Sequence, residues 1–395
     1  MDFWTLGALW FALAIIADFA SIRLKISVAL LEIVVGITAA FFIGFYWPTL
    51  SNLGADQSWI VFLASAGAVL LTFLAGAELD PAVMKSNWKE VSLIGLVGFF
   101  APFFGCAAAA YYFLDWSSNA SWLAGVALST TSVAVVYAGM LELGLNRTRF
   151  GKTILATCFV NDLGTVIALG MIFSPFTYKT IVFIAASIIV FLFLPRLTAF
   201  IFRLWGGRHS ELESKFLFVF LFGLGALAYW AGSEPVLPAY LMGMLLATII
   251  EKDYMLVRRI RAITFGVLTP FYFLRAGSLV SLPAIAAAPG IFIILFLAKM
   301  ITKVIGIYPA AKLSKYPKKE AIYTTLLMST GLTFGTISAL FGLSHHIIDE
   351  SQYSNLVATV IASAIIPTVI ANLFFLPKHL LPKEETSPEL PDPRK

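Results

Sequence analysis

The chain has 395 residues, of which 59% are hydrophobic and only 12% charged, with a formal net charge of +5. A soluble domain carries about 25% charged residues, so this composition excludes a soluble globular protein and describes one that lives in a bilayer. The positive excess is small and confined to certain loops, which argues against a nucleic-acid partner.

Read in chain order, apolar segments fall at 3–17, 26–47, 58–79, 91–114, 121–143, 151–173, 179–204, 214–231, 235–250, 263–281, 286–308, 320–341 and 354–377. Their lengths are helical, whereas strands of a transmembrane barrel would be shorter and alternate in polarity. The expected class is an all-α polytopic membrane protein with thirteen transmembrane helices, the first and ninth short for a full crossing. Met1-Asp2-Phe3-Trp4 has no positive n-region, so the first segment is expected to be retained.

The loops test that count. Basic residues follow every odd-numbered segment: Arg23 and Lys25, Lys85 and Lys89, Arg147 to Lys152, Arg196 to Lys215, Lys252 to Arg261, Lys312 to Lys319, and then Lys378 onward in the tail. The loops after the even-numbered segments hold only Lys179. By the positive-inside rule the N-terminus is outside and the C-terminus cytoplasmic, and a miscounted segment would break the alternation. The expected location is a bacterial inner membrane. The tail, 378–395, is rich in Pro, Glu and Lys and is expected to be disordered. No nucleotide-binding domain is expected, so any such regulation would come from another chain.

Cys106 and Cys158 fall inside segments and give neither a disulfide framework nor zinc spacing. His209, His345, His346 and His379 fall in loops or the tail, and the His345-His346 pair reads as a solvated loop. There is no GxxxxGK[ST]. No cofactor, no resident metal and no enzymatic activity are expected.

Two segments carry hydroxyl-rich interruptions, Ser129-Thr130-Thr131-Ser132 in the fifth and Ser329-Thr330-Gly331 in the twelfth. Either could be simple small-residue packing. Their positions say more. They lie seven segments apart and run in opposite directions, the relation expected if segments 1–6 and 8–13 are inverted repeats joined by the seventh. Broken helices at matching positions of inverted halves point to a transport site, and their C-terminal ends offer free carbonyls to a cation.

Few charges lie within the segments. Asp162 is at the centre of the sixth, next to Asn161, and an aspartate there costs about 2.5–3.5 kcal/mol on insertion scales, so it faces protein or water. Lys299 and Lys303 share one face of the eleventh segment, and either could snorkel to an interface. Arg275 is read as a structural partner for a carboxylate or for helix ends. Glu78 is divided between an ion pathway and a salt bridge, Glu32 reads as a packing or interface carboxylate before an ion contact, and Asp18 and Asp80 as solvated or capping. A desolvated carboxylate beside amide and hydroxyl oxygens is a hard-oxygen site that Na⁺, Li⁺ or K⁺ would accept. If the cation binds only when the proton is off, one residue exchanges the two by competition.

The order of these motifs resembles the monovalent cation:proton antiporters over about residues 5–377. The resemblance rests on Phe73-Leu74-Ala75-Gly76-Ala77-Glu78-Leu79-Asp80, the hydroxyl-rich fifth segment, Leu141-Glu142-Leu143-Gly144, Arg149-Phe150-Gly151, Asn161-Asp162 and Thr269-Pro270-Phe271-Tyr272-Phe273. The chain is most similar to the second antiporter family, with its NapA-like sodium antiporters and Kef-like potassium systems. The resemblance implies a transmembrane antiporter domain over 1–377 in which a core with two crossed, broken helices and a dimerisation subdomain are interleaved. It also implies a homodimer and an elevator motion. It assigns ion binding to Asp162, with Asn161 and possible support from Glu78, and the fifth-segment crossover to Thr130, Thr131 and Ser132. Ser329, Thr330 and Gly331 match as the twelfth-segment crossover. Lys303 is the family's buried basic residue, with Lys299 as its rival by register. Electrogenic relatives carry two adjacent aspartates where this chain has Asn161-Asp162, so one-for-one, electroneutral exchange of Na⁺ first, or K⁺ next, for H⁺ is expected. A sodium-coupled symporter of an organic anion is the alternative, with Arg275 as its one candidate anion-binding group; a passive channel fits poorly.

Overall fold

The computed structural model describes residues 3–24, 27–46, 52–78, 81–141, 145, 148–173, 177–205, 211–250 and 253–380. Leu79-Asp80, Glu142 to Gly144, His209 and the tail from 381 onward therefore lie outside the described residues. Among the described residues every regular element is helical. In chain order these are α1 (Phe3–Leu24), α2 (Val28–Tyr46), α3 (Ser58–Ala77), the short α4 (Pro81–Ser86), α5 (Trp88–Phe113), α6 (Ser118–Ser129), α7 (Val133–Leu141), α8 (Arg149–Phe173) and α9 (Tyr178–Trp205). They continue with α10 (Leu212–Trp230), α11 (Val236–Ile250), α12 (Tyr254–Ile263), a π turn (Thr264–Leu268), α13 (Thr269–Ser278), the short α14 (Leu282–Ala287), α15 (Pro289–Leu313), α16 (Lys318–Met328), α17 (Thr333–Ser344) and α18 (Glu350–Phe374).

Ten of these, with α16 and α17 taken as one, are long and apolar enough to cross a membrane by length and composition. The other three predicted segments are occupied by α6 with α7, by the 15-residue α11, and by the π turn with α13. The first segment is not short. α1 runs seven residues past the expected end, because Asp18 and Arg23 are carried on its last turns and not in a loop. Residues 378–380 form a 3₁₀ turn, with Leu380 packed on the core around Tyr323.

Local chemistry sets several helix starts. Ser117 caps α6 by accepting from the Ala120 N–H, and Asp349 and Gln352 form a reciprocal capping box at the start of α18. Pro270 lies in the first turn of α13, and the π turn leads into it. Proline removes a helical donor and crowds the preceding turn, and the extra residue per turn of a π bulge absorbs that.

The helices pack as two bundles. One holds α1, α2, α3, α10, α11, α12 and α13; the other holds α5, α6, α8, α15, α16, α17 and α18. α9 packs against α10 and α11 and turns an apolar face outward, with Ile181, Leu192 and Phe193 exposed. The pairings recur at a spacing of seven segments. α3 packs on α11 as α13 packs on α2, and α5 packs on α6 and α8 as α15 packs on α16 and α18. In the first bundle both matched pairs meet glycine to glycine, Gly76 with Gly243 and Gly277 with Gly36. A Cβ at any of the four would strike a backbone carbonyl of the facing helix. Close backbone approach through small residues is how helices associate where lipid supplies no hydrophobic drive.

Candidate functional site

Between the bundles lies a cavity of about 500 Å³. One bundle lines it with Ala29, Leu71, Leu74, Ala75, Phe265 and Phe273; the other with Ala156, Phe159 and Asp162 of α8 and Thr333 and Phe334 of α17, and α7 adds Val133 and Tyr137. Glu78, Lys152 and Arg261 also line it. Glu78 follows the end of α3, Lys152 sits in the first turn of α8 and Arg261 in the last turn of α12, so the charged residues mark one end of the cavity. Glu78 and Arg261 form an ion pair, both side chains substantially exposed. Glu78 is thus at once on the cavity wall and in a salt bridge.

Asp162 is only 2% exposed, and Asn161 is fully buried. Asp162 Oδ1 and both polar atoms of the Asn161 amide have no hydrogen-bond partner in the protein. Buried polar atoms left this way are rare and need an explanation. Here they belong to adjacent residues, and one of them lines the cavity.

The helix interruptions fall at the hydroxyl runs, Thr130 to Ser132 and Ser329 to Leu332. Ser and Thr serve the broken backbone from within. Thr130 Oγ1 donates to Ala127 O at 3.1 Å, Thr330 Oγ1 to Leu327 O at 2.7 Å and Ser329 Oγ to Thr325 O at 2.7 Å. The two breaks touch: the Ser132 N–H donates to Thr330 O at 3.1 Å, and Thr131 Oγ1 donates to Met328 O at 2.8 Å. Two carbonyls at the second interruption, Met328 O and Thr330 O, are therefore engaged by the first. Val133 and Thr333, which share the cavity with Asp162, begin α7 and α17. Those N-terminal ends carry partial positive charge, which favours a carboxylate.

A scan against family models matches residues 9–376 to "Sodium/hydrogen exchanger, transmembrane". The chain belongs to the sodium/hydrogen exchanger family. The chain is 25% identical over 340 residues to a protein named probable Na(+)/H(+) antiporter 3 of Methanocaldococcus jannaschii, covering 82% of this chain and 86% of that one. It is also 25% identical over 320 residues to a Na(+)/H(+) antiporter of Enterococcus hirae, covering 78% and 83%. Its fold matches the solved sodium proton antiporter MjNhaP1 of M. jannaschii with a TM-score of 0.68 at 14% identity, over 94% of this chain and 97% of that one. The chain is thus an integral membrane protein of the monovalent cation:proton antiporter superfamily.

Both lysines of α15 are fully buried, so neither snorkels. Lys303 Nζ donates to Thr131 Oγ1 at 3.0 Å, which makes a relay from Lys303 through Thr131 to Met328 O that ties α15 to both breaks. Lys299 Nζ has no hydrogen-bond partner and lies against Gly331, where a Cβ would collide with it and come within 2.8 Å of Thr130 Oγ1. The register ambiguity becomes two placements, Lys303 on the first break and Lys299 beside the second. Arg275 is not among the residues that line the cavity: its Nε donates to Ala55 O at 2.9 Å, in the turn before α3, so it serves a loop. Glu32 is buried on α2, one turn from the cavity-lining Ala29. Cys106 and Cys158 are free and buried, and among the described residues no cluster of His, Cys, Asp and Glu could hold a metal. His345 and His346 sit in an exposed turn.

Lys152, Arg261, Phe159 and Tyr137 are cavity residues that the sequence does not single out, and the first two are marked there only by their place in basic loops. The buried hydroxyls of Tyr240, Tyr272 and Tyr353 have partners remote in sequence, which no local pattern reveals.

Proposed function

We propose that this protein carries a monovalent cation, Na⁺ in preference to K⁺, against H⁺, with the two competing for Asp162. The observation that carries this reading is the pairing of Asp162 and Asn161. They are adjacent, buried and short of protein partners, and the carboxylate lines a cavity that opens between the bundles. In this reading the proton occupies Asp162 in one half-cycle and the cation in the other, with Asn161 and the hydroxyls of Thr130, Thr131 and Ser132 completing the cation's surroundings. Lys303 holds the first break, and Ser329, Thr330 and Gly331 form the second. Glu78 and Arg261 set the charge at the cavity mouth.

Thirteen crossings, inverted repeats and crossed breaks belong to the same reading, supported by the matched pairings of the helices and by the contact between the two breaks. The bundle bearing Asp162 slides past the one that holds α1, α2 and α3 as an elevator, and that latter bundle supplies the contact for a homodimer. The N-terminus faces outward and the C-terminus the cytoplasm of a bacterial inner membrane. With one carboxylate at 161–162, one proton exchanges for one cation and the cycle is electroneutral. The relatives are named as antiporters, which does not favour a symporter, and Arg275, which is not among the residues that line the cavity, is bound to a loop carbonyl.

The test is reconstitution in liposomes with an internal pH dye under an imposed pH gradient, adding Na⁺, Li⁺ or K⁺. Cation-dependent proton movement independent of a clamped potential supports the proposal. Sodium-driven solute uptake without proton movement would sink it, and a rate that follows voltage would remove the electroneutral part. Asn161→Asp, which restores a second carboxylate, is expected to introduce voltage dependence.

A further inference from the structure

Beside the cavity the two bundles close directly on each other. Tyr240, Thr336, Tyr353 and Ala276 are fully buried there and Tyr272 is 2% exposed. Three tyrosine hydroxyls cross this contact. Tyr240 of α11 donates to Phe159 O of α8 at 3.0 Å, Tyr272 of α13 donates to Thr336 Oγ1 of α17 at 3.1 Å, and Tyr353 of α18 donates to Ala276 O of α13 at 2.7 Å. The first two end close to the site. Phe159 is one turn before Asp162, and Thr336 Oγ1 itself donates to Leu332 O at 3.0 Å, the last residue of the second break.

We infer that Tyr240 and Tyr272, aided by Tyr353, are positioning residues that bolt the site-bearing helices to the other bundle in the cavity-open state and release them when the site moves. This rests on the reading that the bundles slide. Within a bundle a tyrosine hydrogen bond survives sliding, but these three join groups on opposite sides of the sliding surface. Each is therefore a contact made in one state and broken in the other, and only such differential contacts set the balance between states. Losing one bond of ordinary strength lowers the open-to-closed ratio about 2- to 12-fold, and losing two lowers it about 5- to 150-fold.

The test places a cysteine at the cavity-lining Ala75 in the full chain, whose native cysteines are buried, and measures its rate of modification by an impermeant maleimide in nanodiscs. The Tyr240→Phe, Tyr272→Phe double variant is expected to react severalfold more slowly than the parent, and Thr336→Val to reproduce the Tyr272→Phe effect from the other side of the bond. Tyr323→Phe is the control, since that hydroxyl donates to Asn372 Oδ1 at 3.2 Å inside one bundle; it is expected to leave the rate unchanged. Equal rates in parent and double variant overturn the inference, as does an equal slowing by Tyr323→Phe. Should the double variant fail to fold, Thr336→Val alone decides: an unchanged rate overturns the inference. The measurement needs no transport, so absence of cation-dependent proton movement in liposomes would overturn the proposed exchange without deciding the bolts.

Discussion

Thr131→Val isolates the relay that joins α15 to the two breaks. Valine keeps the shape of threonine and opens no cavity, but it removes an acceptor from Lys303 Nζ and a donor from Met328 O. Both groups are then buried without those partners. A buried polar group left unsatisfied costs about 1–3 kcal/mol and a charged one more, so the pair predicts a loss of about 2–6 kcal/mol at the junction. Thr131→Ser retains the hydroxyl and is expected to lose less than about 1 kcal/mol, from one methyl group. The assay is apparent melting by size exclusion in detergent, run with exchange in liposomes. Thr131→Val is expected to lower both the melting temperature and the exchange rate, and Thr131→Ser to restore both. Equal behaviour of Val, Ser and wild type would show that the relay ties nothing together.

Gly331→Ala puts a methyl group against Lys299 Nζ and Thr130 Oγ1, and overpacking of this kind costs about 1–3 kcal/mol; in a Lys299→Ala background the cost should fall by more than half, checked by a double-mutant cycle on melting. Glu78→Gln breaks an exposed ion pair worth about 0–1 kcal/mol, so melting should barely move, while the apparent KM for the cation on the cavity side rises as the mouth turns more positive. Glu234 lies in the turn between α10 and α11, where burial raises its carboxyl from 4.5 to about 7. A carboxyl raised in the fold gives stability that is full below pH 4.5 and lost as pH rises through about 7, so melting should fall over that window and the fall should flatten in Glu234→Gln.

The elements were legible because lipid leaves few options: apolar runs of sufficient length become helices, and hydroxyl runs inside them mark where the backbone opens. Asp162 stood out because a charge at mid-segment has no cheap structural use. What stayed hidden depended on rotation and long-range contact. Lys299 and Lys303 share a helix face, so periodicity alone could not say which one meets which break. Arg275 needed a partner, but only the folded 52–57 turn shows that the partner is the Ala55 carbonyl. Lys152 and Arg261 read as ordinary loop cations until the bundles brought them to one cavity. Tyr272 stands in a motif of the family resemblance, but neither its partner nor those of Tyr240 and Tyr353 could be read from the sequence, because two of the three hydroxyls bond to backbone carbonyls.

Competition between cation and proton at Asp162 is tested most directly by proton release. Purified protein in weakly buffered detergent at a pH where the site is protonated receives Na⁺, and the protons released are counted against the cation bound. The account predicts about one proton per cation for the wild type and none for Asp162→Asn of equal melting temperature. Proton release that persists in Asp162→Asn would contradict it and move the exchange site elsewhere, with Glu78 the first carboxylate to examine.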